Sequence, residues 1–183
     1  ELTAVEISKI VEQFVQAARR AQLAGIDAVQ IHAAHAYGLV ASFLSPLRNK
    51  RADGYGADME GRVRILLEII RCVKEKTGPD FPVIVRMSGD EIATDGRGLI
   101  ETECIAPMIV DAGADALEIS SGVLPEMDVS VIPPTGGGLA INASLAGAIK
   151  KVVSVPVLTV GRINTPQHAH QVIKRGDADM VSM

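Results

Sequence analysis

Apolar residues recur with helical periodicity in several stretches of the chain. The first stretch carries an apolar stripe that comprises Ile7, Ile10, Val11, Phe14, Ala18 and Ala21. A capping box at Thr3 and Glu6 predicts where this helix begins, and Gly25 predicts where it ends. The same periodicity predicts further helices over 59–77, 99–112, 142–152 and 165–175.

Short, mostly apolar segments between these helices predict β-strands of two kinds. The first kind contains an Asp-Ala junction and occurs at 24–31, 112–119 and 175–182, whereas the second begins with Pro-Val and occurs at 82–89 and 156–162. Apolar strands that alternate with helices indicate a parallel sheet with right-handed crossovers. The regular alternation of the two kinds favours an α/β fold of the (β/α)8 TIM-barrel class over an open doubly wound sheet.

The number of predicted strands is smaller than a complete barrel requires. Five strands are predicted over 183 residues, whereas a TIM barrel has eight strands and about 250 residues. We therefore interpret residues 1–183 as one partial TIM-barrel domain of about five β/α units, with the first three strands and the last helix absent. A second copy of the chain could instead cover the open edges of the sheet, so we expect a homo-oligomer.

Composition and charge narrow the range of partners. The formal charge is −4 and no block is strongly acidic or basic, which gives no reason to expect nucleic acid or a membrane surface. No apolar run reaches the roughly 18 residues that a membrane-spanning helix needs. Cys72 and Cys104 lie in separate helical segments and form no CxxC pair, which is typical of a reducing, cytoplasmic compartment. A small-molecule substrate is the expected partner.

Polar residues gather where the predicted strands end. TIM barrels carry their active sites at the carboxyl ends of the strands. In chain order the residues at these ends are His32, His35 and Tyr37, then Arg86 and Ser88, then Ser120, Ser121 and Gly122, and finally Gly161 and Arg162. Because the strand bodies stay apolar, this asymmetry itself indicates a functional site.

The two histidines admit three interpretations. Residues three apart point to opposite faces of a continuous strand, so His32 and His35 converge only if the chain turns directly after His32. Once converged, they could hold a carbonyl oxygen as neutral donors. They could also bind zinc with a third ligand such as Asp53 or Glu118. Alternatively both are structural, with His32 at a strand end and His35 on the surface.

Tyr37 and Arg86 are each open to two interpretations. Tyr37 carries a phenol, whose ordinary pKa is about 10, so it could donate a proton or could only pack. Arg86 ends an apolar strand and needs an anionic or carbonyl partner, which is either a structural ion pair or a ligand. No predicted strand ends in lysine, which argues against a Schiff-base aldolase. The glycine-rich segment 135–142 lacks the spacing of a phosphate-binding motif and is interpreted as a loop.

The segment 31–56, IHAAHAYGLVASFLSPLRNKRADGYG, resembles the signature of the Old Yellow Enzyme, or NADH:flavin oxidoreductase, family of FMN-dependent barrels. The matching positions are His32, His35, Tyr37, Phe43, Leu44, Ser45, Pro46, Asn49, Arg51, Asp53, Tyr55 and Gly56. The resemblance continues through VRMS at 85–88 and through 155–183, so it covers essentially the whole chain. Ala36 departs from the pattern because glycine is usual there, which makes the turn tighter or shifted.

The resemblance implies an ene-reductase type of flavoenzyme, in which hydride passes from NAD(P)H to FMN and then to an activated alkene such as an enone. It implies that His32 and His35 hold the acceptor oxygen and that Tyr37 delivers the proton. It also implies that Arg86 lies beside the flavin ring, and that Gly161 and Arg162 help to hold the FMN phosphate. Arg51 and Asp53 are expected to pair with each other inside a structural loop.

One branch of the family resembles this chain more closely over residues 132–163. That branch contains 2,4-dienoyl-CoA reductases and trimethylamine dehydrogenase-like enzymes, whose members carry a 4Fe-4S cluster and a further nucleotide-binding domain. With two separated cysteines, no cluster is expected in this chain, although the full-length protein could hold one. Two alternatives stay open: a metal-dependent TIM-barrel hydrolase that uses His32 and His35, and a catalytically inactive fragment of a flavin oxidoreductase.

Overall fold

The computed structural model describes residues 1–123 and 131–183 as alternating helices and strands. The helices are α1 (Ala4–Leu23), α2 (Leu39–Leu44), α3 (Met59–Thr77), α4 (Leu99–Asp111), α5 (Ala143–Lys150) and α6 (Pro166–Arg175). The strands are β1 (Val29–Ala33), β2 (Val83–Ser88), β3 (Ala116–Ser120), β4 (Val157–Val160) and β5 (Met180–Ser182). All five predicted strands and the five predicted helices are present.

The five strands form one sheet in the order β1-β2-β3-β4-β5, and every neighbouring pair is parallel. An open doubly wound sheet reverses its strand order at a switch point, whereas a barrel adds each new strand on the same side. The sequential order therefore agrees with the predicted barrel and disagrees with the doubly wound alternative. The register aligns His32 of β1 with Arg86 of β2 and Glu118 of β3.

The two faces of the sheet differ in polarity. On β2, Val83, Val85 and Met87 are fully buried and belong to the hydrophobic core. Because side chains alternate along a strand, Arg86 points to the opposite face, which it shares with its register partners His32 and Glu118. We call this the concave face, because it corresponds to the inside of the predicted barrel. The hydrophobic core therefore packs against one face of the sheet, and Arg86 lies on the other.

The ends of α1 confirm the expected capping residues. The Thr3 side chain accepts a hydrogen bond from the Glu6 amide, and the Glu6 carboxylate accepts one from the Thr3 amide. The helix stops at Leu23, and Gly25 follows with a φ of +80°, a left-handed conformation that favours glycine. Local sequence rules therefore set both ends of this helix.

The short helix α2 is an element that the sequence pattern does not predict. It has only six residues, its N-cap residue Gly38 provides no side-chain hydrogen bond, and it lies inside the segment 31–56. Four of its residues, Val40, Ala41, Phe43 and Leu44, are buried. Tertiary burial rather than a local start signal therefore stabilises α2. The segment 135–142 contains no helix or strand, as predicted.

None of the helices in the described ranges is long and apolar enough to cross a membrane.

Candidate active site at the carboxyl end of the sheet

A turn after β1 brings the three predicted catalytic side chains together. The chain leaves the strand at Ala33, and His35 and Ala36 both adopt left-handed backbone conformations, with φ angles of +67° and +52°. The ring centroids of His32 and His35 are 5.9 Å apart, and that of Tyr37 lies 5.4 Å from His32 and 6.3 Å from His35. The turn that convergence requires is therefore present.

His35 is buried and held at both ring nitrogens. Its Nδ1 lies 3.3 Å from the Gly122 carbonyl oxygen, and its Nε2 lies 3.3 Å from the Ser120 hydroxyl. Its backbone amide donates to the Ser88 hydroxyl at 3.0 Å. Since a carbonyl oxygen only accepts, the contact with Gly122 requires the proton on Nδ1, and Nε2 then accepts from Ser120. The interpretation of His35 as a surface residue is wrong.

His32 offers a free nitrogen at the same place. Its Nε2 is buried and has no hydrogen-bond partner among the described residues. Buried polar atoms are nearly always paired, so an unpaired nitrogen at a strand end points to a partner that is added from outside. His32 therefore keeps a ring nitrogen that no described residue engages, whereas both ring nitrogens of His35 are engaged.

Both imidazoles are kept neutral by their surroundings. Burial is the main cause that lowers the pKa of His32, and the positive charge of Arg86 lowers it further, while Glu118 opposes the change. Burial also lowers the pKa of His35, and the Gly122 carbonyl opposes this effect. Neutral imidazoles suit hydrogen bonding to a carbonyl oxygen, because each carries one N–H and no charge to be compensated.

Tyr37 lies at the mouth of the site. Its side chain is 59% exposed, and its ring is nearly parallel to that of His35, with an interplanar angle of 7°. The tyrosine therefore packs against His35 while more than half of its surface stays exposed to solvent. Packing and proton donation, which the sequence left as alternatives, are compatible in this arrangement.

Arg86 makes an ion pair on the concave face. Its Nη1 lies 3.1 Å from Glu118 Oε1, and the carboxylate of Glu118 is almost completely buried. The Gln30 amide donates to Glu118 Oε2 at 2.8 Å, and the Ser182 hydroxyl donates to Oε1 at 2.7 Å. Of the two interpretations of Arg86, the structure shows the ion pair, and the Arg86 side chain remains 26% exposed.

Gly161 and Arg162 lie after β4, three strands away from His32. Gly161 has a φ of +119°, and an added Cβ would lie 2.8 Å from Nδ2 of Asn142, so only glycine fits there. The Arg162 guanidinium donates to the Gly137 carbonyl. A cavity of about 480 Å³ opens beside them, lined also by residues 131–133, Ile163, Asn164, Ser182 and Met183.

The zinc interpretation lacks a third ligand. Arg51 Nε donates to Asp53 Oδ1 at 2.9 Å, and this pairing, which the sequence predicts, lowers the pKa of Asp53 to about 2. The Glu118 carboxylate is engaged by Gln30, Arg86 and Ser182. Across the described ranges no group of three or more His, Cys, Asp or Glu side chains could hold a metal ion.

Two residues of the concave face do not emerge from the sequence reasoning. Gln30 and Ser182 both bond to Glu118, which the sequence suggests only as a metal ligand. Gln30 precedes His32 by two residues and so shares its face of the strand, a signal that the period of two provides. Ser182 gives no comparable signal, because its contact with Glu118 depends on the curvature of the sheet.

The fold and the site together define a barrel of the flavin oxidoreductase class. The chain belongs to the NADH:flavin oxidoreductase / NADH oxidase family, which it matches over residues 1–183. It is 42% identical over 183 residues to the NADH oxidase of Thermoanaerobacter brockii, and the match covers all of this chain and 28% of that relative.

Solved structures agree with this membership. The complex of 2-naphthoyl-CoA reductase with 2-naphthoyl-CoA superposes with a TM-score of 0.91 at 28% identity, over 99% of this chain and 27% of that one. The old yellow enzyme homologue from Zymomonas mobilis superposes with a TM-score of 0.77 at 28% identity, over all of this chain and 49% of that one. The predicted TIM-barrel class is confirmed, and the chain spans between about a quarter and a half of these proteins.

Proposed function

We propose that the full-length protein is an FMN-dependent oxidoreductase that reduces an activated alkene, with residues 1–183 as the part of the barrel domain that carries the acceptor site. The observation that supports this most is the convergence of His32, His35 and Tyr37 at the carboxyl end of the sheet, in a chain of the flavin oxidoreductase family. The chemistry that bound FMN supplies is hydride transfer from NAD(P)H to the β-carbon of the alkene.

Three residues fit a flavin nucleotide. Gly161 and Arg162 line the cavity at the end of β4, and Arg162 carries the positive charge that a phosphate needs. Arg86 would lie beside the polar edge of the flavin ring, because its charged and partly exposed side chain lies on the concave face. These residues would hold the phosphate and the ring from two different strands.

His32 is the principal donor to the acceptor oxygen in this proposal. Its unpaired Nε2 would donate to a carbonyl or comparable oxygen and stabilise the negative charge that develops there. His35 would complete the pair only after its Nε2 gains a proton or its ring exchanges partners, because it accepts from Ser120 in the present arrangement. His32 Nε2 therefore has no described partner to exchange before it donates, whereas His35 Nε2 must first gain a proton or change its partner.

Tyr37 would protonate the carbon next to the one that receives hydride. Its exposed ring can reach a substrate at the mouth of the site, and its position on His35 restricts where the hydroxyl lies. A phenol carries an O–H that can act as a general acid.

The test uses the full-length holoenzyme with a simple enone as acceptor. Replacement of His32 and His35 together by glutamine should lower the rate of enone reduction by about 10²–10³-fold and leave FMN bound. His170→Gln, in an exposed position on α6, is the matched control and should keep the wild-type rate. An unchanged rate in the double variant would contradict the proposed role of the histidines.

An FMN titration of residues 1–183 separates the enzyme from an inactive fragment. Binding that Arg162→Gln weakens would support a cofactor site within this chain. Failure of residues 1–183 to bind FMN, together with binding by the full-length protein, would assign the chemistry to the whole protein only.

The length of two relatives supports the 2,4-dienoyl-CoA reductase-like branch, whose members have a further domain beyond the barrel. The chain covers only 28% of the NADH oxidase and 27% of the naphthoyl-CoA reductase structure. We propose an enone or dienoyl-type acceptor and, in the full-length protein only, a 4Fe-4S cluster. Iron and sulfide analysis of that protein tests the cluster directly.

We also propose a cytoplasmic homo-oligomer. Cys72 and Cys104 are both free, which agrees with a reducing compartment. The sheet has edge strands at β1 and β5 that a second copy could cover. Sedimentation of residues 1–183 tests whether a second copy covers these edges, and fractionation of cells tests the compartment.

A further inference from the structure

We propose that Glu118 is a positioning residue for the flavin: it fixes the Arg86 guanidinium and reduces the positive charge that Arg86 presents to the concave face. This inference rests on the proposed function, because it assumes that FMN binds beside Arg86. It adds a residue that neither the motif nor the strand-end pattern points to.

The carboxylate of Glu118 is the centre of a network that spans the sheet. Gln30 of β1 donates to Oε2 at 2.8 Å, while Arg86 of β2 and Ser182 of β5 both contact Oε1, at 3.1 and 2.7 Å. These contacts connect both edge strands to the middle of the sheet. Three donors from three strands hold one carboxylate in a single position.

The burial of Glu118 shows that the network is costly to build. Its side chain is only 4% exposed, and a buried carboxylate is tolerated only when its oxygens are paired. Arg86, by contrast, keeps 26% of its side chain exposed. The buried Glu118 therefore fixes the position of Arg86, and the more exposed Arg86 faces the ligand that occupies the concave side.

The same pair acts on His32, which lies in register with both residues. Arg86 lowers the pKa of His32 and Glu118 raises it. The two charges therefore also have opposite effects on the histidine that donates to the acceptor oxygen. Loss of the Glu118 charge would leave Arg86 uncompensated. Electrons added to the flavin would then be stabilised more strongly, and protonation of His32 would become less favourable.

The deciding measurement is the midpoint potential of FMN in the full-length holoenzyme. Glu118→Gln removes the charge and keeps the shape. We expect it to raise the equilibrium constant for flavin reduction about tenfold, a positive shift of about 30 mV for a two-electron couple. Glu118→Asp, which keeps the charge, should give a smaller shift.

Glu101→Gln is the matched control. Glu101 also pairs with an arginine, Arg62, at 2.6 Å, but this pair joins α3 to α4, away from the concave face. It should leave the potential unchanged. In apo protein, Glu118→Gln should also lower the pKa of His32 in an NMR titration, a readout that does not depend on activity or on bound flavin.

Ser182→Ala keeps the inference testable if Glu118→Gln does not fold. The Ser182 hydroxyl shares Oε1 with Arg86, so its removal leaves more negative charge facing the guanidinium and should shift the potential in the negative direction. Equal potentials in wild type, Glu118→Gln and Ser182→Ala, with FMN bound and reducible, would overturn the role of Glu118. Failure of the full-length protein to bind FMN would instead overturn the proposed function.

Discussion

The imidazole Nδ1 of His35 lies 3.3 Å from the carbonyl oxygen of Gly122, which connects the turn after β1 to the end of β3. An isolated bridge between His35 and Val123 reinforces this connection across β2. The ring is therefore oriented by main-chain atoms, and its proton is placed by an acceptor that cannot donate.

The first prediction concerns the protonation state of His35. In ¹⁵N-labelled protein at pH 7.5, His35 should be the neutral tautomer with its proton on Nδ1. Ser120→Ala should raise its pKa, because the hydroxyl that donates to neutral Nε2 is lost. Ser8→Ala, which removes an exposed hydroxyl bonded to the Ala4 carbonyl on α1, should change neither. A resonance from Nε2–H in the wild type would contradict this assignment.

The second prediction concerns backbone strain in the same turn. Ala36 has a φ of +52°, which costs a residue with a side chain about 1–2 kcal/mol relative to glycine. Ala36→Gly should therefore raise the free energy of unfolding by roughly 0.5–1 kcal/mol after the entropic cost of glycine. Ala34→Gly is the control, since Ala34 is equally buried without a positive φ, and it should be destabilising. Urea unfolding of both variants measures the difference.

The strained turn at His35 and Ala36 lies between α1 and α3 in the chain, two helices that local sequence rules predict well. Such rules predict the capped start of α1 at Thr3 and the helix Met59–Thr77. The strand-end pattern by itself points to His32, His35 and Arg86 as site residues. Helical and strand signals are local, and carboxyl ends of parallel strands meet at one edge, so these features follow from sequence order alone.

The features that sequence reasoning misses depend on contacts between distant elements. The tautomer of His35 depends on Gly122, 87 residues away, and the place of Glu118 depends on Ser182, 64 residues away. The same holds for α2, whose short apolar sequence carries no start signal. Such features depend on sheet register and curvature, which no window of neighbouring residues encodes.

The third prediction concerns the pH dependence of stability. Burial lowers the pKa of His35 below the value of about 6.5 that it has in the unfolded chain. As the pH falls below about 6.5, the unfolded state binds the proton first, so the free energy of unfolding decreases until the pH passes the folded pKa. The decrease from His35 cannot exceed about 1.4 kcal/mol per pH unit.

Urea unfolding at pH 7.5 and pH 5.5 checks this direction. Wild type should lose stability between the two values, and His35→Gln should lose less. His170→Gln, which removes an exposed imidazole, should behave as wild type does. A wild-type free energy of unfolding that is constant or increases on acidification would contradict the prediction. Paired carboxylates with lowered pKa values change the stability mainly below pH 5.5, so they do not obscure the effect of His35.

The fourth prediction concerns a buried ion pair within the β2–α4 loop, in which Arg97 Nε lies 4.0 Å from Glu91 Oε1. Arg97 is 1% exposed, and its Nη2 donates to the Ser88 carbonyl at 2.8 Å. Glu91 Oε2 accepts from the Ser45 hydroxyl at 2.8 Å and from the Arg97 amide at 2.9 Å. Burial lowers the pKa of Arg97, and Glu91 is the main group that opposes this effect.

Glu91→Gln should therefore lower the free energy of unfolding by about 3 kcal/mol, because it leaves the Arg97 charge buried without its counter-charge. The added variant Arg97→Met should restore part of this loss, since it removes the uncompensated charge and keeps most of the volume. Arg175→Gln breaks the more exposed pair with Asp177 and should cost less than about 1 kcal/mol. Equal losses in Glu91→Gln and Arg175→Gln would show that the buried pair contributes no more than a surface pair.

Because Arg97 holds the carbonyl of Ser88, and Ser88 holds the amide of His35, a large loss of stability in Glu91→Gln should also broaden the NMR resonances of His35.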